Sequence, residues 1–191
     1  IPDGKAVAVD PAKPLYLDEK MTNQPTAALQ LVAKEILHIS DIVKDAVSNT
    51  IEIVKTEDIS QLEGLLEKGK NIKSLTDKTT EYLALLFSSG TMTEQQAAQT
   101  ASLMYILSDV ERMGSLSVEI AKCIQEKEQN NYKYTSEAME ELQKSLRTLE
   151  KMFIDSMKAL QGDKSVQIDK MVKRKDKIMD LDIKMRKAHL Q

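Results

Sequence analysis

Tryptophan is absent from the chain and phenylalanine occurs only twice, so an interior has to be built from Leu, Ile, Val, Ala and Met. A single cysteine, Cys123, excludes an internal disulfide and a cysteine-rich metal site, and it reads as a reduced thiol, buried or half-buried. No apolar run reaches the ~18 residues that a membrane-spanning helix needs. No secretory leader is recognisable, and no glycine-rich phosphate loop is present. The net charge is only −3 over 191 residues, which argues against a nucleic-acid footprint. No stretch alternates with the period of two that marks a half-buried strand.

Proline is also scarce, and its placement sets the organisation. Pro2, Pro11, Pro14 and Pro25 are the only four. Proline costs about 3 kcal/mol inside a helix. Residues 1–23 therefore read as an extended linker, and everything beyond is free to be helical. The chain opens on Ile1 rather than Met, so we expect a piece of a longer protein whose membrane spans, if it has any, lie outside these residues.

What is present is helical periodicity. Five helices are expected, at roughly 24–54, 57–88, 93–128, 135–161 and 163–189. The first carries Leu29, Val32, Ile36, Ile39, Val43 and Val47 at spacings of three and four, an amphipathic stripe. Thr22 or Asn23 can cap it, with Pro25 in the first turn. Gly90 and a Thr93 cap separate the second helix from the third. Ser136 and Glu140 suggest a capping box for the fourth, and Gly162 ends it. Long helices joined by short loops imply antiparallel neighbours, so the expected fold is all-α, a compact bundle rather than an extended coiled coil. Three helices close one bundle, at 24–130. The last two, at 131–191, either pack on it or begin a second bundle whose third helix lies beyond Gln191.

The stretch SDVERMGSLSVEIA, residues 108–121, sets Asp109, Glu111, Arg112 and Gly114 inside the third helix. Glycine there costs roughly 1 kcal/mol against alanine. Asp109 and Arg112 stand at i,i+3 and can pair, Arg112 can reach a carboxylate on a neighbouring helix, and Gly114 lets another helix approach closely. These four residues are the contact candidates, between helices or toward a partner.

Three segments resemble a known family. PLYLDEKMTNQPTAALQLVAKEILHISDIVKDAV is similar to the lead-in of the soluble C-terminal region of bacterial sodium/phosphate cotransporter-like proteins, with Leu17, Asp18, Pro25, Ala28, Leu29, Ala33 and Glu35 matching. SDVERMGSLSVEIA resembles the D-x-E-R-hydrophobic-G-D-H-A/S motif of PhoU domains through Asp109, Glu111, Arg112 and Gly114, with Ser115 and Leu116 where the motif has Asp and His. IMDLDIKMRKAHL resembles the second helix of the second PhoU repeat through Arg186, His189 and Leu190. The resemblance implies two three-helix bundles in tandem, the second incomplete here. It also implies a transmembrane transport domain in the same chain and a place on the cytoplasmic face of the cell membrane.

PhoU domains can carry metals on E-x-x-x-D pairs, whose i,i+4 spacing puts two carboxylates on one helix face. Here Glu111 is kept, but Ser115 stands four residues on. On the second helix Gly69 and Lys73 take the Glu and Asp positions, and on the fifth Lys175 and Met179 do. Asp176 and Asp180 form an i,i+4 pair one residue out of register, and Glu67 with Asn71 is a similar remnant. No cofactor is expected; a metal ion on Asp176, Asp180 or Glu111 is the alternative.

The remaining residues suggest no chemistry. His38, near Asp41, and His189 lack zinc-ligand spacing. No Ser/His/Asp set and no catalytic residue can be assigned, so an enzyme is not expected. Six of ten methionines fall from Met139 onward, where core filling is the default and an adaptable partner face the alternative. Residues 163–191 hold nine Lys or Arg against five Asp, a local +4 that suits a solvated face or contact with an anionic membrane surface. The function expected is a regulatory, non-catalytic domain acting on a sodium-dependent phosphate transporter, with a homodimer as a further candidate assembly. The alternatives are a free-standing PhoU-like adaptor and a generic helical scaffold.

Overall fold

The computed structural model describes residues 10–189. Residues 1–9 of the linker, and Leu190 of the last motif, lie outside them. Five helices follow one another: α1 (Pro25–Thr56), α2 (Leu62–Ser88), α3 (Glu94–Gln129), α4 (Ser136–Leu160) and α5 (Ile168–His189). Among the described residues there is no strand. The all-α expectation holds, and the boundaries shift for local reasons.

Pro25 opens α1 at its first position, but neither Thr22 nor Asn23 caps it. The Thr22 hydroxyl is spent on the Glu19 carbonyl, 2.8 Å away, in a single 3-10 turn at Glu19–Met21. At the far end Glu57 adopts φ +57°, a left-handed residue that stops the helix. Asp58 then caps a short turn by accepting the Ser60 N–H, so α2 starts five residues later than the periodicity suggests. Thr93 and Gln96 form a reciprocal capping box on α3. On α4 the cap is Thr135 rather than Ser136; its hydroxyl accepts the Ala138 N–H, and alanine has no side chain to return a bond, so no box forms. Gly162, at φ +81°, closes α4. Its N–H bonds Ala159 and that of Asp163 bonds Lys158, the paired pattern of a glycine C-cap. The Asp163 carboxylate takes the Ser165 N–H, holding a turn that delays α5 to Ile168.

Helices α1, α2 and α3 each pack on the other two, a three-helix bundle. Helix α1 is central, since α4 also lies against it. That position explains its wide buried face, from Ala28, Leu29 and Val32 to Ile53 and Val54. Thr50 ties α1 to α3 by donating to the carbonyls of Ala46 and Ser117 at 2.9 and 3.0 Å. Helix α4 buries far less. Only Ser145 and Leu146 are buried, while Met139, Leu142, Phe153, Met157 and Leu160 are half-buried. Helix α5 packs on α4, where Arg174 meets Asp155.

Candidate functional site

The α2–α3 crossing is built on two glycines used reciprocally. A Cβ on Gly114 of α3 would lie 3.0 Å from Ile72 Cδ1, 3.3 Å from Ile72 Cγ2 and 3.4 Å from Val43 Cγ2. A Cβ on Gly69 of α2 would lie 2.9 Å from Val118 Cγ2 of α3. Each glycine thus receives a β-branched side chain from the opposite helix, which brings the two backbones together. Gly114 is buried against both α1 and α2.

The charges around Gly114 face elsewhere. Asp109 and Arg112 are exposed, and among the described residues neither makes an ion pair, so the i,i+3 pair between them does not form. Glu111, half-buried, accepts the Ser115 hydroxyl at 2.8 Å. Across the crossing, the Lys73 ammonium sits 2.6 Å from Asp77. The hydrogen bond and charge of Asp77, with the charge of Glu111 behind them, hold the Lys73 pKa above its usual value. Gly69, Lys73 and Ser115 line one groove between α2 and α3. The α2 and α3 positions that the resemblance assigns to metal ligands are therefore brought together, but with a glycine, an ammonium and a hydroxyl among them, while Lys175 and Met179 lie apart on α5. These residues do not fit a divalent cation, because Lys73 already places a positive charge there. Asp176 and Asp180 are exposed on α5, which packs on α4 and not on the α2–α3 crossing that holds Glu111. Among the described residues no three His, Cys, Asp or Glu side chains gather as a metal site.

A second groove, of about 310 Å³, runs between α3 and α4. Ile106, Val110 and Met113 line it from α3, and Met152, Phe153 and Met157 from α4, with Asp109 on the wall. Here methionines form an accessible apolar surface and are not wholly used as core. Cys123, expected to be buried or half-buried, is exposed, because Ala121 and Ile124 take the inward positions of that turn of α3.

One polar cluster escaped the sequence pattern. Glu35 is fully buried on α1. Its Oε2 accepts the N–H groups of Leu15 and Tyr16 at 2.8 and 2.7 Å, and its Oε1 lies 2.9 Å from His38 Nδ1. His38 thus pairs with Glu35, while Asp41 pairs with Lys44. On α2, Ser74 and Lys78 both donate to the Ala12 carbonyl, at 3.2 and 2.6 Å, and the Tyr82 hydroxyl donates to the Asp18 carbonyl at 2.8 Å. Residues 12–18 are thereby strapped across α1 and α2. The available signal was a carboxylate standing three residues after Val32 and beside Ile36, within an apolar stripe.

The described residues form an all-helical bundle whose polar groups mostly serve contacts within and between helices. Residues 36–124 match the family model of the PhoU domain. This span, from the second third of α1 to near the end of α3, is a PhoU-domain region, a domain of a regulatory family. No curated protein and no solved structure matches the chain.

Proposed function

We propose that the chain is a regulatory, non-catalytic PhoU-like domain of a sodium-dependent phosphate transporter, acting through helix-bundle contacts on the transport domain of the same chain. The observation that carries this proposal is the PhoU match across α1–α3. The transporter assignment rests on the resemblance of the lead-in residues, Leu17, Asp18, Pro25 and Glu35 among them. Residues 24–130 are the first bundle and 131–191 the first two helices of a second, with 1–23 as the linker. The half-covered α4 supports that division, because an amphipathic helix with so few buried residues has room for another neighbour. Asp109 and Arg112 are the contact candidates toward the transport domain, being exposed without ion-pair partners among the described residues, while Glu111 and Gly114 serve the α2–α3 crossing. No described helix is long and apolar enough to cross a membrane, so the spans of such a transporter would come from elsewhere in the chain. The eight Lys and Arg of α5 suit the anionic inner surface of the membrane beside it.

A photo-crosslinking side chain at position 109, in the full-length protein in native membranes, tests the proposal. Adducts that map to membrane-spanning peptides are expected. Adducts confined to soluble proteins would instead make the chain a free-standing adaptor.

A further inference from the structure

We propose that residues 12–18 form a main-chain latch whose seating on Glu35, Ser74, Lys78 and Tyr82 sets the packing of α1 against α2, so that a pull on the chain ahead of α1 is passed into the bundle. The inference stands apart from the transporter assignment, since every group in it belongs to this chain.

All five hydrogen bonds between the bundle and residues 12–18 run to the strap's main chain. Glu35 takes two consecutive N–H groups, Ser74 and Lys78 share one carbonyl, and Tyr82 takes another. The strap's side chains contribute mostly surface: Leu15 and Tyr16 are exposed, and the Tyr16 ring meets His38 edge-on at 6.3 Å. Leu17 is half-buried against the core. The bundle therefore holds the turns and bends of the strap through its backbone, with little regard to its side chains.

Seating and packing are linked through Glu35. Glu35 stands on the buried face of α1 that also carries Val32, Ile36 and Ile39, none of them exposed. While the strap is seated, three donors surround it. If the strap lifts, Oε2 loses both of its partners in an apolar setting, which a carboxylate does not tolerate. Helix α1 must then turn or part from α2 to let water reach it. The strap bonds α1 at Glu35 and α2 at Lys78, on both sides of the same seam, so lifting it also removes the clamp that holds the seam closed.

The test is amide hydrogen exchange on the whole chain, comparing Tyr16→Pro with Tyr16→Ala. Proline deletes one N–H that Glu35 accepts and leaves the bundle's residues intact; alanine removes the same ring and keeps the N–H. Tyr16→Pro should speed exchange of the Leu15 amide by about tenfold or more, and that of α1 amides near Glu35 and α2 amides near Lys78 in the same direction. Tyr16→Ala should change them much less. Lys78→Met, which removes one of the two donors to the Ala12 carbonyl, should loosen the same amides by a smaller factor, while amides late in α3 keep their wild-type rates in all three. Two results would overturn the latch: wild-type exchange at Leu15 in Tyr16→Pro, or faster exchange at Leu15 with α1 and α2 unmoved, which would make the strap a passive tail.

Discussion

Gly114→Ala separates local helix preference from helix packing, and the two push in opposite directions. Alanine is favoured over glycine inside a helix by about 1 kcal/mol. The added Cβ would stand 3.0 and 3.3 Å from two carbons of Ile72 and 3.4 Å from Val43 Cγ2. Ile72 is 1% exposed and Val43 is fully buried, so neither has open space to retreat into. Forcing extra carbon into a filled core typically costs about 1–3 kcal/mol. The balance is a net loss of about 1 kcal/mol, which for a chain of this size is a fall of about 2–4 °C in melting temperature. Ile72→Val removes the carbon nearest the new methyl and should itself cost about 0.5–1.5 kcal/mol. In that background Gly114→Ala should be neutral or stabilising, giving a favourable coupling of about 1 kcal/mol between the two sites. Denaturant melts of the wild type, both single variants and the double variant close the cycle. A stabilisation of about 1 kcal/mol by Gly114→Ala alone, or strict additivity, would refute the account of this glycine as a packing joint.

Three other perturbations follow from named groups. Thr76 is buried and its hydroxyl has no hydrogen-bond partner, so Thr76→Val should raise stability by about 1 kcal/mol; a lower melting temperature would show that the hydroxyl is satisfied. Leu146 is the one buried apolar side chain of α4, and Leu146→Ala should cost about 2–4 kcal/mol and speed proteolysis within α4 and α5; unchanged cleavage there would mean α4 is held by other contacts. Burial, with the nearby Asp18 charge, raises the Tyr82 pKa above 10.0. The fold thus favours the neutral phenol: its contribution is complete below the unfolded pKa of 10.0 and is lost as pH rises through the higher folded value. Melting temperatures from about pH 8 upward should therefore fall faster for the wild type than for Tyr82→Phe, and parallel curves would contradict this.

Helix type and order were legible because apolar residues at three and four spacing persist over each long segment, as with Leu29 through Val47. Helix ends were less so. Glu57 carries no signal for the left-handed conformation it adopts, and Thr22 satisfies its hydroxyl within the preceding turn rather than capping α1. The sequence placed Asp109, Glu111, Arg112 and Gly114 on one helix but could not separate them. Only the packing shows Gly114 facing Ile72 and Val43, Glu111 turned to Ser115 and toward Lys73, and Asp109 on the wall of an apolar groove. The buried Glu35 was hidden for a different reason. Its partners are backbone N–H groups, which every residue but proline carries, so no spacing of side chains announces them.

The proposed role is regulation of sodium-dependent phosphate transport by this bundle. It is tested most directly by sodium-dependent phosphate uptake in cells carrying the gene intact or with the codons for residues 24–191 removed. The deletion is expected to leave a transporter at the membrane whose uptake no longer responds to phosphate supply as the intact protein does. A response to phosphate supply that is the same with and without these residues would contradict the proposal.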